Sequence, residues 1–392
     1  MKLVKPANDS YHRERIMRRS RKEVSSDRLS LPHYALSHLW GISEEIPHLW
    51  HDIGDYVDDE KGQPAASVSM RSEKRETLLK LLEYHPDSYW WIDVLCARTD
   101  TPLDIMGDIY KYCRTCYAMI DCDSHTISEM QSLITCEERA KTGDEFWHAA
   151  SVWDTFARCA WWKRVWTWQE MVLPNQVLLI AETEMEVCNT VDMDLLDKFG
   201  RVADWTMKYT HPKVYKQWKD SPSFSLVNEI NDCLSQRSSF QEGRVSLINE
   251  VGDGLYQKSD FEEGHVSLSS EISESLHQKT DFEENFGPPG VFTLDMLARS
   301  SRRCMKPVDY VYGVLGVLQL KLPRGVEPNE LWQLFVSLVE NALKGSCLFR
   351  VNDHAREFDL LVARDMSDVY QALLEYQPSE KSNTLLSVVR RD

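Results

Sequence analysis

The chain lacks an apolar run long enough to cross a membrane: its longest candidate, VYGVLGVLQL at 311–320, is about half of what a spanning helix needs. No secretory leader is expected, because charged residues interrupt any apolar core near the start. Positive charge is scarce: 45 Lys and Arg against 62 Asp and Glu leave a net charge of −17. That balance excludes sequence-independent nucleic-acid binding as a main role, since such binding requires Lys and Arg on phosphates. Gly-x-Ser-x-Gly and the Walker phosphate loop are both missing, which removes the usual hydrolase and nucleoside-triphosphatase readings. The ten cysteines are scattered through apolar patterns, as reduced thiols of a cytoplasmic protein are. Cys113, Cys116 and Cys122 supply half of a zinc spacing without its second half, so no metal site is expected.

What the chain does have is ordinary core material, 42% hydrophobic over 392 residues, enough for one large or two smaller globular domains. Charge is unevenly placed. Residues 1–30 hold nine Lys and Arg against four Asp and Glu, whereas residues 224–285 hold four against thirteen. The basic arm at 1–30 is either a solvated tail or a segment that touches an acidic lipid surface or the acidic insert.

Between them lies an alternation. His33–Trp40, Ser88–Cys96, Cys116–Cys122 and Gln176–Ala181 read as buried strands, and Glu73–Pro86, Thr101–Cys113 and Asp144–Ala157 as helices. Strands alternating with helices predict an α/β domain over 31–200 with a parallel sheet flanked by helices, whose ligands bind beyond the carboxyl ends of the strands. Ser37 to Gly41 and Leu95 to Asp100 then share one rim. A linker and acidic insert follow over 201–290, containing three copies of a 21-residue repeat at 224–285 with equivalent positions such as Leu234, Leu255 and Leu276. Each copy has only a thin apolar stripe, so the copies either stack on one another or dangle as a polar insertion. A C-terminal helical region over 291–392 includes two helices separated at Pro307 and an amphipathic helix from Pro328 to Gly345, with Leu331, Phe335, Leu338 and Ala342 on one face.

The densest chemistry is RCAWWKRVWTWQEMV, Arg158–Val172, with four tryptophans and one carboxylate, Glu170. Read as one helix, it sets Trp162, Trp166 and Glu170 on a common face. Glu170 is then either a structural ion pair with Lys163 or Arg164 beneath core tryptophans, or a tuned acid/base on an aromatic wall. A cysteine nucleophile, Cys96 with His38, is a weaker reading, since buried cysteine usually behaves as a small hydrophobe.

Three blocks together, YALSHLWG (Tyr34–Gly41), WWIDVLCARTD with MGDIYKYCRTCYAMI (Trp90–Ile120) and WWKRVWTWQEMVL (Trp161–Leu173), resemble the heterokaryon incompatibility (HET) domain of filamentous fungi. PVDYVYGVLGVL (Pro307–Leu318) resembles an element that follows that domain. Two departures stand out: His38 follows Ser37 where the family usually has tyrosine, and Ala97, Arg98 and Thr99 follow Cys96 where it usually has Ile-Asn-Gln. The resemblance implies non-self recognition ending in programmed cell death, and partners that are other incompatibility proteins or further copies of this chain. It also implies a distant likeness to Toll/interleukin-1 receptor (TIR) domains, some of which cleave NAD with a glutamate in Trp-x-x-x-Glu. Trp166 and Glu170 match that spacing. On that analogy Glu170 is the candidate catalytic residue, Ser37, Trp40 and Trp166 are candidate binding residues, and NAD is a candidate substrate rather than a resident cofactor. The competing expectation is a non-enzymatic, self-associating module.

Overall fold

A computed structural model describes residues 33–40, 48–57, 63–86, 88–97, 103–135, 143–184, 186–197, 212–220, 294–318, 320–343 and 349–376, together with Lys2, Leu3 and separate positions between 208 and 237. These fall into two compact units, Met1–Ser246 and Leu247–Asp392. The second and third repeat copies, the basic arm beyond Leu3, and Gly41 and Arg98–Asp100 at the expected rim lie outside the described residues.

The first unit is built on a six-stranded sheet in the order β1 (Lys2–Leu3), β5 (Tyr89–Ile92), β2 (His33–His38), β6 (Cys116–Ile120), β7 (Val177–Ala181) and β8 (Val191–Asp192). All neighbours pair in parallel except β7 with β8. The fold is α/β, as the strand and helix alternation predicts. Every residue of β2 and β6 is buried, which is why both read as continuous apolar runs instead of alternating ones.

Side chains still alternate between faces. Tyr34 and Leu36 of β2, Trp90 and Ile92 of β5, Tyr117 and Met119 of β6 and Ile180 of β7 join one core with Leu78 and Leu81 of α1 (Arg75–Tyr84). Aromatic contacts knit that face: Tyr34 stacks on His85 at 4.1 Å and on Trp90 at 5.2 Å between ring centroids. Odd-numbered Ser37 therefore projects to the opposite face.

Two expected elements are shorter than the apolar pattern suggests. The strand from Ser88 stops at Ile92 and turns into a short helix, α2 (Asp93–Cys96). Asp93 starts that turn by accepting the backbone N–H of Val94 on its own carboxylate at 2.8 Å, the local competition with strand pairing that favours Asp at helix starts. The helix after it, α3 (Asp104–Lys111), begins later than Thr101, which lies outside the described residues.

α4 (Ser124–Thr135) and α5 (Gly143–Ala157) follow β6. Chain connections leave β2 toward β5 and leave β6 toward β7, so they depart in opposite directions from two adjacent strands. The crevice between the carboxyl ends of β2 and β6 is thus the switch point, where open α/β sheets bind ligands.

In the second unit the helix after Pro328 (Pro328–Ala342) buries Leu331, Trp332, Phe335, Val336 and Val339. That face is rotated from the expected one, because Leu338 is only half-buried while Trp332 turns inward to donate its indole N–H to Ala355 O at 2.7 Å. Pro307 is followed by two one-turn helices, Asp309–Tyr312 and Leu315–Leu318. No helix among the described residues is long and apolar enough to cross a membrane.

Leu36 is fully buried at the centre of the sheet, so Leu36→Ala should destabilise the first unit by about 2–5 kcal/mol. Chemical denaturation followed by tryptophan fluorescence should show the earlier transition of the mutant.

Candidate functional site

The tryptophan-rich segment is not one helix. A 3-10 turn runs from Ala160 to Lys163, Arg164 is extended, and a helix resumes only at α6 (Thr167–Val172). Asp121, just past β6, holds the turn by accepting Ala160 N at 2.8 Å and Trp161 N at 3.0 Å. Thr167 Oγ1 donates to Trp161 O and Arg164 O, both at 2.8 Å, and pins the break from the other side. Trp162 and Glu170 therefore share no helical face. Trp162 packs edge-on against Phe156 at 5.3 Å and Trp161 at 4.8 Å, and Trp166 is a half-buried cap residue in front of α6.

The break delivers Trp161 to the sheet. Its indole N–H donates to Ser37 Oγ at 2.8 Å, and Ser37 in turn donates to the Glu170 carboxylate. All three residues are buried, with Glu170 only 4% exposed. Burial above all, helped by the negative charge of Asp93, raises Glu170 to about 7, against the pull of Ser37, Arg164 and the Tyr110 hydroxyl. A carboxyl of that kind passes between acid and base near neutral pH.

His38 comes from the next position on β2 and so faces the other side of the sheet. Its Nε2 is 2.9 Å from Asp93 Oδ1 and its Nδ1 is 3.2 Å from Lys74 Nζ. Burial pushes this imidazole below its ordinary value in spite of Asp93, and its Nδ1 also lies 3.0 Å from Leu39 O. Burial, then repulsion from Arg71, depresses Lys74 to about 8. Asp93 would be raised by burial, but His38, the Trp40 indole and Arg164 outweigh that and hold it below the usual carboxylate range. Trp40 Nε1 donates to Asp93 Oδ2 at 2.6 Å while its ring is 40% exposed. Arg164 Nη1 donates to His38 O at 2.9 Å.

Of the residues singled out from sequence, Ser37 and Glu170 thus meet directly, Trp40 stands at the solvent edge on Asp93, and Trp166 caps the Glu170 helix. Trp161, Tyr110, Asp93, His38 and Lys74 complete the cluster without having been paired with Glu170 in the sequence reading. The Trp161-Trp162 doublet was the available signal, because adjacent indoles cannot share one face of any regular element. Cys96 is buried, with its thiol 3.8 Å from Trp90 O; its surroundings are those of a core thiol.

Residues 33–170 match the family model described as heterokaryon incompatibility protein (HET). No curated protein and no solved structure matches the chain.

The raised carboxyl has a consequence for stability. Between the ordinary value of 4.5 and about 7 the native state binds a proton that the unfolded chain has released, so stability falls as pH rises through that window. The contribution is fully present below 4.5 and is lost once pH has passed about 7, a loss of about 3 kcal/mol. Glu170→Gln keeps the shape and an acceptor for Ser37 but cannot ionise. Unfolding free energies measured from pH 4.5 to 8 should diverge in favour of the glutamine variant by about that amount; parallel curves would show that Glu170 titrates normally.

Proposed function

We propose that this chain, whose residues 33–170 form a HET domain, acts in heterokaryon incompatibility by promoting cell death, and that it does so by cleaving the nicotinamide–ribose bond of NAD. The observation that carries this reading is the convergence of Ser37, Glu170 and Trp161 at the switch point of a parallel sheet, with the exposed Trp40 ring and Asp93 at the same rim. Loss of nicotinamide leaves positive charge on the ribosyl carbon, and a carboxylate beside it stabilises that charge as in glycoside hydrolysis. Water then adds to that carbon, giving ADP-ribose, nicotinamide and a proton. In this reading Glu170 is the carboxylate, Ser37 orients it, and Trp40 offers a flat face for stacking. The correspondence with TIR-type enzymes is part of the proposal.

A second reading has its own observation. Glu170 is 4% exposed and its partner Ser37 is itself bonded to the buried Trp161 indole, as around a structural carboxyl of a non-enzymatic, self-associating module. Incubation of the purified full chain with NAD separates the two. The enzymatic reading expects nicotinamide and ADP-ribose release that falls at least about a hundredfold in Glu170→Gln. Absence of turnover at high protein concentration in both proteins would leave the interaction module as the function of the fold.

A further inference from the structure

The helix that holds Glu170 cannot hold its own end. α6 has six residues, too few for a helix to persist by itself, and Pro174 has no N–H with which to continue its ladder. The far side of the following turn is fixed to the sheet, where Cys116 N donates to Gln176 O and Thr115 Oγ1 to Gln176 Oε1, both at 2.9 Å. The near side, where α6 ends, is held by a side chain from the first repeat copy.

That side chain is Arg237, which is 1% exposed. Its guanidinium donates to Met171 O at 2.9 Å, Pro174 O at 2.5 Å and Asn175 O at 2.7 Å, with Asp194 Oδ1 at 2.8 Å. One rigid planar group thus ties together carbonyls from both sides of the helix end, at the pole where a cation is favoured. Arg237 is fixed in turn by its own segment. Val227, Ile230 and Leu234 are helical and buried with it, a spacing that puts all four on one helix face, and Phe224 meets Trp218 edge-on at 4.8 Å.

We propose that Arg237 is a positioning residue for Glu170: by fixing Met171, Pro174 and Asn175 it sets the depth of α6, and so keeps the carboxyl on Ser37 and out of water. Glu170 precedes Met171 by one residue, so the influence passes through the backbone, and a shift of about 1 Å at the helix end carries a bonded pair out of hydrogen-bond range. The groups that set the titration of Glu170 from the elements around it are Asp93, Ser37, Arg164 and Tyr110, and the Cys116 thiol on β6 feels both Glu170 and Arg237. The assignment concerns the carboxyl itself and stands whether or not Glu170 cleaves NAD.

The test compares unfolding of the full chain at pH 4.5 and pH 8 in three backgrounds, native, Arg237→Lys and Arg237→Ala, each with Glu170 and with Glu170→Gln. In the native background the rise in pH should increase the unfolding constant of the glutamate form over that of the glutamine form by about a hundredfold. Without Arg237 the end of α6 gives, water reaches the carboxyl and its pKa returns toward the ordinary value. The factor should then fall below about tenfold in Arg237→Ala. Arg237→Lys keeps the charge but not the fork, and should give an intermediate factor. The proposal is overturned if neither variant lowers the factor while both forms lose stability in parallel, because Arg237 would then hold the fold and not the carboxyl. A factor that grows in Arg237→Ala also overturns it, since loss of a remote positive charge raises a carboxyl whereas loss of position lowers this one. Should Arg237→Ala fail to fold, Arg237→Lys decides alone, by lowering the factor or by leaving it unchanged.

Discussion

Taking the Glu170 carboxyl out of water is the constraint around which the rim is arranged. An isolated carboxylate in such a place is costly, and a protein relieves the cost either by protonating the group or by surrounding it with donors. Here both occur: the group is raised to about 7, and Ser37 donates to it. Ser37 can do so because Trp161 donates to the serine oxygen in turn, and Trp161 reaches it only because Asp121 and Thr167 hold the backbone in a turn and an extended residue instead of a continuous helix. A change at any of these positions is felt at Glu170.

Strand alternation divides the labour between two neighbouring residues. Ser37 and His38 leave β2 on opposite faces, so one strand end serves two carboxylates with opposite fates. Asp93, with His38, Trp40 and Arg164 around it, is held ionised, while Glu170, deeper and repelled by that same Asp93, is raised. Pairs of carboxyls driven apart in this way are the arrangement by which one site keeps an acid and a base together at neutral pH. The same arrangement arises in structural networks, which is why turnover by the Glu170 variant, and not the shift alone, distinguishes the two readings.

The strands were legible in the sequence because fully buried parallel strands are short apolar runs, and β2, β5, β6 and β7 all read that way. The encounter of Ser37 with Glu170 was legible only through the family resemblance, since no periodicity links residues 133 apart. What periodicity said about the tryptophan segment was mistaken: Trp162, Trp166 and Glu170 fit helical spacing, but the turn is imposed by Asp121 from outside the segment. Spacing records what a segment does when left to itself, and this one is overridden by a cap some forty residues away. The face of the helix after Pro328 was misplaced by one position for a related reason, because Trp332 finds an acceptor at Ala355 that no local pattern contains.

The first repeat copy shows the same limit from another side. Acidic and repetitive, the insert has the composition of a solvated appendage, and Arg237, buried and donating to Met171 O, Pro174 O and Asn175 O, looks in the sequence like any other basic residue between acids. Burying a guanidinium is tolerable only where its donors all find acceptors, and the carboxyl end of a short helix is one of the few places on a fold that presents several carbonyls together. A helix of six residues has little internal cohesion of its own. Because α6 carries Glu170 near its middle and receives Arg237 at its end, the position of the carboxyl depends on a cation supplied by the insert.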